Sequence, residues 1–268
     1  MHTRELFFRH LAPTSEAPAG LEIVRAAGCY LYDQQEKAYL DLIAGISVCH
    51  LGHGHPAIKN SVQEQLDRYL HVMVYGEVIL SPQVRYAEAL TQLLPPTLDS
   101  VYFTNSGAEA TEGAMKLAKR ITGRTKIICF EAAYHGSTQG ALSVIGSDYF
   151  QQTYRPLLPQ VYRYAWQSEE VLTAIDTDTA CVILELVQAE AGVRMADIGW
   201  LKALQQRCQA SGTLLIVDEI QSERYAWSRE MIEALTGERT GPARALEILD
   251  ERFRGVPPAP RTTVPPNA

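Results

Sequence analysis

From residue 100 onward the apolar positions fall in short continuous runs. Ser100–Thr104, Lys126–Phe130, Ala180–Leu186 and Thr213–Val217 are such runs, and between them residues 109–122 and 199–210 place apolar side chains at helical spacing. Continuous Val/Ile/Leu runs between helices predict a mainly parallel sheet covered on both faces, which is an α/β architecture. The first part of the chain reads differently. Leu21–Val24, Cys29–Asp33 and Ala38–Leu42 are separated by turns, as in a small antiparallel unit. Pro56 opens a helix whose apolar face is Ile58, Val62, Leu66 and Tyr69. A second helix begins after Ser81-Pro82 and runs to Leu94, where Pro95-Pro96 stops it.

Past Ser222 the pattern breaks. The last stretch holds seven arginines and no lysine, with helical patterns over about 228–236 and 242–253. Its end, from Arg254, is proline-rich and is expected to be extended or disordered. The division expected is therefore an N-terminal segment (1–55), a large domain (56–222) and a tail (223–268). No internal repeat is evident.

Composition narrows the function classes. Hydrophobic content of 46% and charge of 21% are ordinary for a soluble globular protein. A net charge of −7 offers no footprint for nucleic acid or an anionic membrane. No apolar run approaches the roughly 20 residues of a membrane span, and the N-terminus lacks the apolar core of a signal peptide. Five scattered cysteines without CxxC spacing are expected to be reduced thiols, so the expected compartment is the cytoplasm.

Ligands of such sheets gather outside the carboxyl ends of the strands, and four motifs fall there. Thr104–Ala110 is a tight turn opening a helix, where the N–H groups of Ser106, Gly107 and Ala108 can face an anion. An ordinary helix start has the same pattern. Tyr134-His135-Gly136-Ser137 offers an aromatic face for a heteroaromatic ring, or else a surface loop. Glu185–Gly192 puts two acids and an amide at a strand end, as a polar pocket or a solvated loop. Asp218 ends the run Leu214–Val217, and burying its charge is costly without a partner. A pyridinium N–H is one partner; a magnesium ion or a capping role are others, the former weakened by the lack of GxxxxGK[ST]. Cys49–Pro56, with His50, His53 and His55 between glycines, resembles a metal cluster only superficially; a loop-shaping role is expected, with no metal.

In their order, His-Gly-His-Pro, Asn-Ser-Gly-Ala-Glu-Ala, Tyr-His-Gly, Glu-Leu-Val-Gln-Ala-Glu-Ala-Gly and Val-Asp-Glu-Ile-Gln resemble the class III pyridoxal 5′-phosphate (PLP)-dependent aminotransferases, the acetylornithine, ornithine and omega-amino-acid group. The resemblance covers about residues 5–222. It implies the fold type I large domain, here incomplete, with a small N-terminal segment, and a homodimer with active sites at the subunit interface. It implies amino transfer from an amino acid or amine to a 2-oxo acid. It also implies roles: Ser106, Gly107 and Ala108 at the PLP phosphate, Tyr134 stacked on the ring, and His135 lining the pocket. Asp218 would pair with the pyridine nitrogen, Gln221 would reach the ring hydroxyl, and Glu190 and Tyr75 would lie on the substrate side.

The chain departs from the family after Ser222. Glu223-Arg224-Tyr225-Ala226-Trp227 stands where the family has a glycine-rich stretch. The Schiff-base lysine is expected about 30 residues past the aspartate, and no lysine follows Lys202. The expectation is thus a truncated or chimeric, inactive form that holds PLP weakly and without a covalent bond, and that is prone to self-association. A pseudoenzyme or accessory subunit dimerising with an intact paralogue, and an unrelated nucleotide-binding α/β domain, are the alternatives.

Overall fold

A computed structural model describes residues 2–73 and 76–222. Tyr75, the tail helices and the proline-rich end therefore lie outside the described residues. The described residues divide into two compact units, one up to Ile79 and one from Leu80 to Ser222.

In the first unit, helix α1 (Thr3–His10) precedes a three-stranded antiparallel sheet of β1 (Ile23–Ala27), β2 (Tyr30–Asp33) and β3 (Ala38–Leu40), in that order. A single irregular turn, α2 (Ala44–Ser47), and helix α3 (Pro56–Leu66) follow. The histidine-rich loop is fastened to the β1–β2 turn: Gly28 and His53 exchange backbone hydrogen bonds of 3.0 and 2.8 Å. His53 Nε2 lies 2.7 Å from Asp41 Oδ2, which also accepts Ala44 N–H through its other oxygen. These bonds hold the Asp41 carboxyl below the usual carboxylate range, the His53 contact most strongly. No described residue of this unit is buried.

The core therefore lies in the second unit. Helices α4 (Ser81–Thr91) and α5 (Gly107–Thr122) lead into a four-stranded parallel sheet of β4 (Lys126–Phe130), β5 (Val161–Tyr164), β6 (Thr179–Leu184) and β9 (Leu214–Val217), ordered β5-β4-β6-β9. Short helices α6 (Gln139–Ser143), α7 (Asp148–Gln151) and α8 (Glu170–Ala174) fill the connections, β7 (Val187–Gln188) pairs with β8 (Arg194–Met195), and α9 (Ile198–Ser211) returns the chain to β9.

Side chains alternate across a strand, so the buried strands β4 and β6 divide the core in two. Ile127, Cys129, Cys181 and Ile183 face Met115 and Ala118 of α5. Ile128, Phe130, Val182 and Leu184 face Val171 of α8 and Leu201, Leu204 and Cys208 of α9. Phe130 meets Trp166 and Trp200 edge-on there and the two indoles are tilted to each other, with centroids 5.3–5.6 Å apart. Burial pushes the thiols of Cys129, Cys181 and Cys208 up to about 12. Below the sheet, Arg124 donates to the carbonyls of Thr179, Ser211 and Gly212. It ties the starts of β4, β6 and β9 together.

The α/β class and the parallel sheet are as the apolar runs predict, and α5 and α9 fall within two residues of their expected bounds. One run differs. Residues 101–104 form no strand, and among the described residues none pairs with them, so their backbone has no ladder to join. The strand β5 and the β7–β8 pair are additional to the predicted elements.

Leu204 is fully buried between α9 and the sheet. Leu204→Ala is expected to cost about 2–5 kcal/mol, read as a lower denaturation midpoint in guanidinium chloride with an unchanged slope.

Candidate functional site

The site is built at the carboxyl end of the parallel sheet by three connections that leave it side by side. Leu184 pairs with Val217, and the Asp218 N–H donates to Leu184 O at 2.8 Å. Glu185 and Asp218 therefore leave β6 and β9 level with each other. The third connection follows β4 and carries Tyr134 and His135.

His135 is buried, and its Nδ1 lies 2.8 Å from Asp218 Oδ2. An ionised carboxylate only accepts, so Nδ1 carries the proton of this bond. His135 Nε2 is buried with no hydrogen-bond partner. The loop is pinned from the other side by α5, whose Thr111 hydroxyl donates to His135 O at 3.0 Å. Gly136 lies against the same helix. A Cβ on it would stand 2.7 Å from Ala108 Cβ and 2.8 Å from Ala108 Cα, and its φ of +119° is one that side chains disfavour.

The start of α5 has a complete cap. Ser106 Oγ accepts the Glu109 N–H at 3.2 Å, and Glu109 accepts the Asn105 N–H at 2.6 Å. The first helical N–H groups, those of Gly107 and Ala108, have no intrahelical acceptor. Ile220, two residues past Asp218, reaches into the space that a Cβ on Gly107 would fill. The turn that opens α5 and the strand-end carboxylate are thus brought together. Ser106, Gly107, Ala108, His135 and Asp218 are one continuous assembly, with Tyr134 at its margin. Tyr134 is half-exposed and meets Phe150 edge-on at 6.3 Å.

Gln221 and Glu190 are also brought together, by a 3.0 Å bond from Gln221 Nε2 to Glu190 Oε1. Tyr75 is not placed. No three metal-ligating side chains gather among the described residues.

Two further acids, Glu112 and the Glu185 that opens the polar stretch 185–192, are structural parts of the assembly. Glu112 of α5 accepts the Thr138 hydroxyl (2.7 Å) and the N–H groups of Gly140 (2.8 Å) and Ala141 (3.2 Å), anchoring the chain after Gly136. Glu185 is buried and accepts the Tyr134 N–H at 3.2 Å. Burial pushes its carboxyl up to about 8, and the nearby charges of Asp218 and Glu190 act in the same direction. The only signal for Glu112 in the sequence is its place one turn past the helix start. Glu185 is marked by following an apolar run directly, as Asp218 does.

The aminotransferase class-III family model matches residues 11–223. The acetylornithine aminotransferase of Methanopyrus kandleri is 42% identical over 226 residues, 83% of this chain and 57% of that protein. Among solved structures, the adenosylmethionine-8-amino-7-oxononanoate aminotransferase of Methanocaldococcus jannaschii superposes with a TM-score of 0.78 at 27% identity, over 87% of this chain and 59% of that one. The ornithine aminotransferase of Toxoplasma gondii, described with partial occupancy of PLP at its active site, gives a TM-score of 0.69 at 28% identity, over 82% and 54% of the two chains. The chain spans about half the length of the curated relatives it matches, 57% and 52% of the first two.

Gly136→Ala combines a disfavoured φ with a clash against the α5 backbone. It is expected to cost about 2–4 kcal/mol in chemical denaturation, with Gly113→Ala, which meets nothing closer than 4.0 Å, as the tolerated control.

Proposed function

The chain belongs to the class-III aminotransferase family, and we propose that residues 80–222 form the part of a PLP site that holds the phosphate and the ring nitrogen. The observation that supports this most is the 2.8 Å bond between His135 and Asp218 at the strand end that reaches the start of α5. The donor set fits the cofactor. Asp218 keeps an accessible edge, its side chain 13% exposed, while His135 behind it is 0% exposed. The N–H groups of Gly107 and Ala108 supply an anion site at the same end of the sheet.

When bound, PLP supplies an electron sink for the electrons released at the carbon bearing the amino group. The chain's own residues hold and orient it. Asp218 would keep the proton on the ring nitrogen, and the His135 Nδ1–H bond fixes the carboxylate that does so. Tyr134 would cover the ring and shut water from that face. Gln221 would reach the ring hydroxyl, and Glu190, already bonded to Gln221, would lie on the substrate side.

The family reading carries with it an amino acid or amine donor, a 2-oxo acid acceptor and a cytoplasmic homodimer. The nucleotide-binding alternative is not favoured by the comparisons. Within these 268 residues no lysine follows Asp218. Lys126 lies at the start of β4, bonded to Asp176 at 2.7 Å, and Lys116 and Lys119 lie along α5 beyond its first two turns. We assign binding and orientation to this chain, without the covalent amine. Assayed as these 268 residues, it would bind without turnover.

Titration with PLP, followed by fluorescence, is expected to give reversible binding. Borohydride reduction should leave no stoichiometric adduct on any one lysine. Asp218→Asn should weaken binding about tenfold or more, the value of a hydrogen bond to a charged group, and Tyr134→Ala about three- to tenfold. Absence of binding at millimolar PLP, or equal affinity in Asp218→Asn, would refute the assignment.

A further inference from the structure

We propose that Glu185 is a positioning residue of this site, whose carboxyl fastens the Tyr134–Gly136 loop to the strand ends and sets the pH range in which the loop is held. The proposal rests on the reading above for its ligand, and on geometry of its own. Glu185 leaves β6 level with Asp218 on β9, it is 4% exposed, and it accepts the Tyr134 N–H. Tyr134 and His135 are consecutive, so one carboxyl holds the backbone from which the covering ring and the Asp218 partner both project.

The charged groups acting on Glu185 are both acids: Asp218 from the end of β9 and Glu190 from the connection after β7. The N–H groups of Tyr134 and Ala189 oppose them, and His135 faces the pair through its bond to Asp218. A buried carboxyl beside a second carboxylate does not ionise readily. With its carboxyl pushed up to about 8 by burial, Glu185 stays protonated at neutral pH. Asp218 is then the anion presented to His135 and to a ring nitrogen. Above that range Glu185 ionises beside Asp218; the Tyr134 N–H favours the anion, so the loop is released only as the cost of the buried charge and the repulsion from Asp218 and Glu190 turn the carboxylate outward.

The linkage has a definite sign. A carboxyl whose folded-state pKa lies above its ordinary 4.5 binds its proton more tightly in the folded chain. Its contribution to stability falls as pH rises from that value to about 8.

The test compares the full chain with Glu185→Gln, which keeps an acceptor for the Tyr134 N–H and cannot ionise. Pyridoxamine 5′-phosphate is the probe, because it forms no bond to lysine and its own titration cancels between the two proteins. At pH 7 the two should bind within about threefold of each other. At pH 9 about one-tenth of the wild type remains competent, so its affinity should fall about tenfold relative to the variant. Parallel pH profiles, or wild-type affinity that rises relative to the variant, would overturn the proposal.

Amide exchange supplies a readout that needs no ligand. The protection factor at Tyr134 should fall between pH 7 and 9 in the wild type and stay level in Glu185→Gln; equal slopes would overturn the proposal. If neither protein binds the probe, the cofactor reading fails while this comparison still decides the role of Glu185. Should Glu185→Gln not fold, the wild-type carboxyl can be followed by its ¹³C shift. A midpoint near 8 coinciding with loss of Tyr134 protection supports the assignment, and a midpoint below about 6 overturns it.

Discussion

The in-register pairing of β6 with β9 is the constraint on which the site depends. Because Leu184 lies opposite Val217, the next residue on each strand emerges at the same height, and two carboxyl groups stand together at the end of a dry sheet. A shift by one residue would turn one of them to the opposite face. Neighbouring acids then need different protonation states, and their surroundings provide the difference. Asp218 keeps an accessible edge and a histidine, whereas Glu185 has burial and backbone N–H groups. One fold position thus yields two chemically distinct carboxyls.

The same economy holds for the loop after β4. It is gripped by Thr111 through a carbonyl, by Glu185 through an N–H, by Asp218 through an imidazole, and by the approach of Gly136 to Ala108. The four grips come from α5 and from the ends of β6 and β9, and none is local in sequence. The precision of such a site comes from rigid elements that hold the functional side chains from several directions. In the first unit the corresponding ties join His53 to Asp41 and Gly28 to His53.

Much of this was legible in the residues. The apolar runs at 126–130, 180–186 and 213–217 and the helices over 109–122 and 199–210 follow from periodicity alone. Ser106 before Gly107, with Glu109 three residues on, marks a helix start by its capping chemistry. What escaped was non-local. Val161–Tyr164 is only four residues long and follows the proline-interrupted stretch Pro156–Pro159, and it becomes a strand because β4 offers it an edge. Residues 100–104 have the composition of a strand and lack a partner among the described residues. Glu185 was legible only as one acid of a polar stretch, because its burial comes from chain that returns far away in sequence.

The alternation of β4 and β6 has a consequence for how this domain can change over time. Ile127, Cys129, Cys181 and Ile183 share their neighbourhood with α5, while Ile128, Phe130, Val182 and Leu184 share theirs with α8 and α9. The sheet between them is a partition: a methylene lost on one side is not refilled from the other. Substitutions on opposite sides share few partners, and such changes combine nearly independently. The α9 side is therefore free to drift and repack over generations with little consequence for the α5 side, whose helix also opens the candidate site. Sequence divergence among descendants of this domain should run at different paces on its two faces.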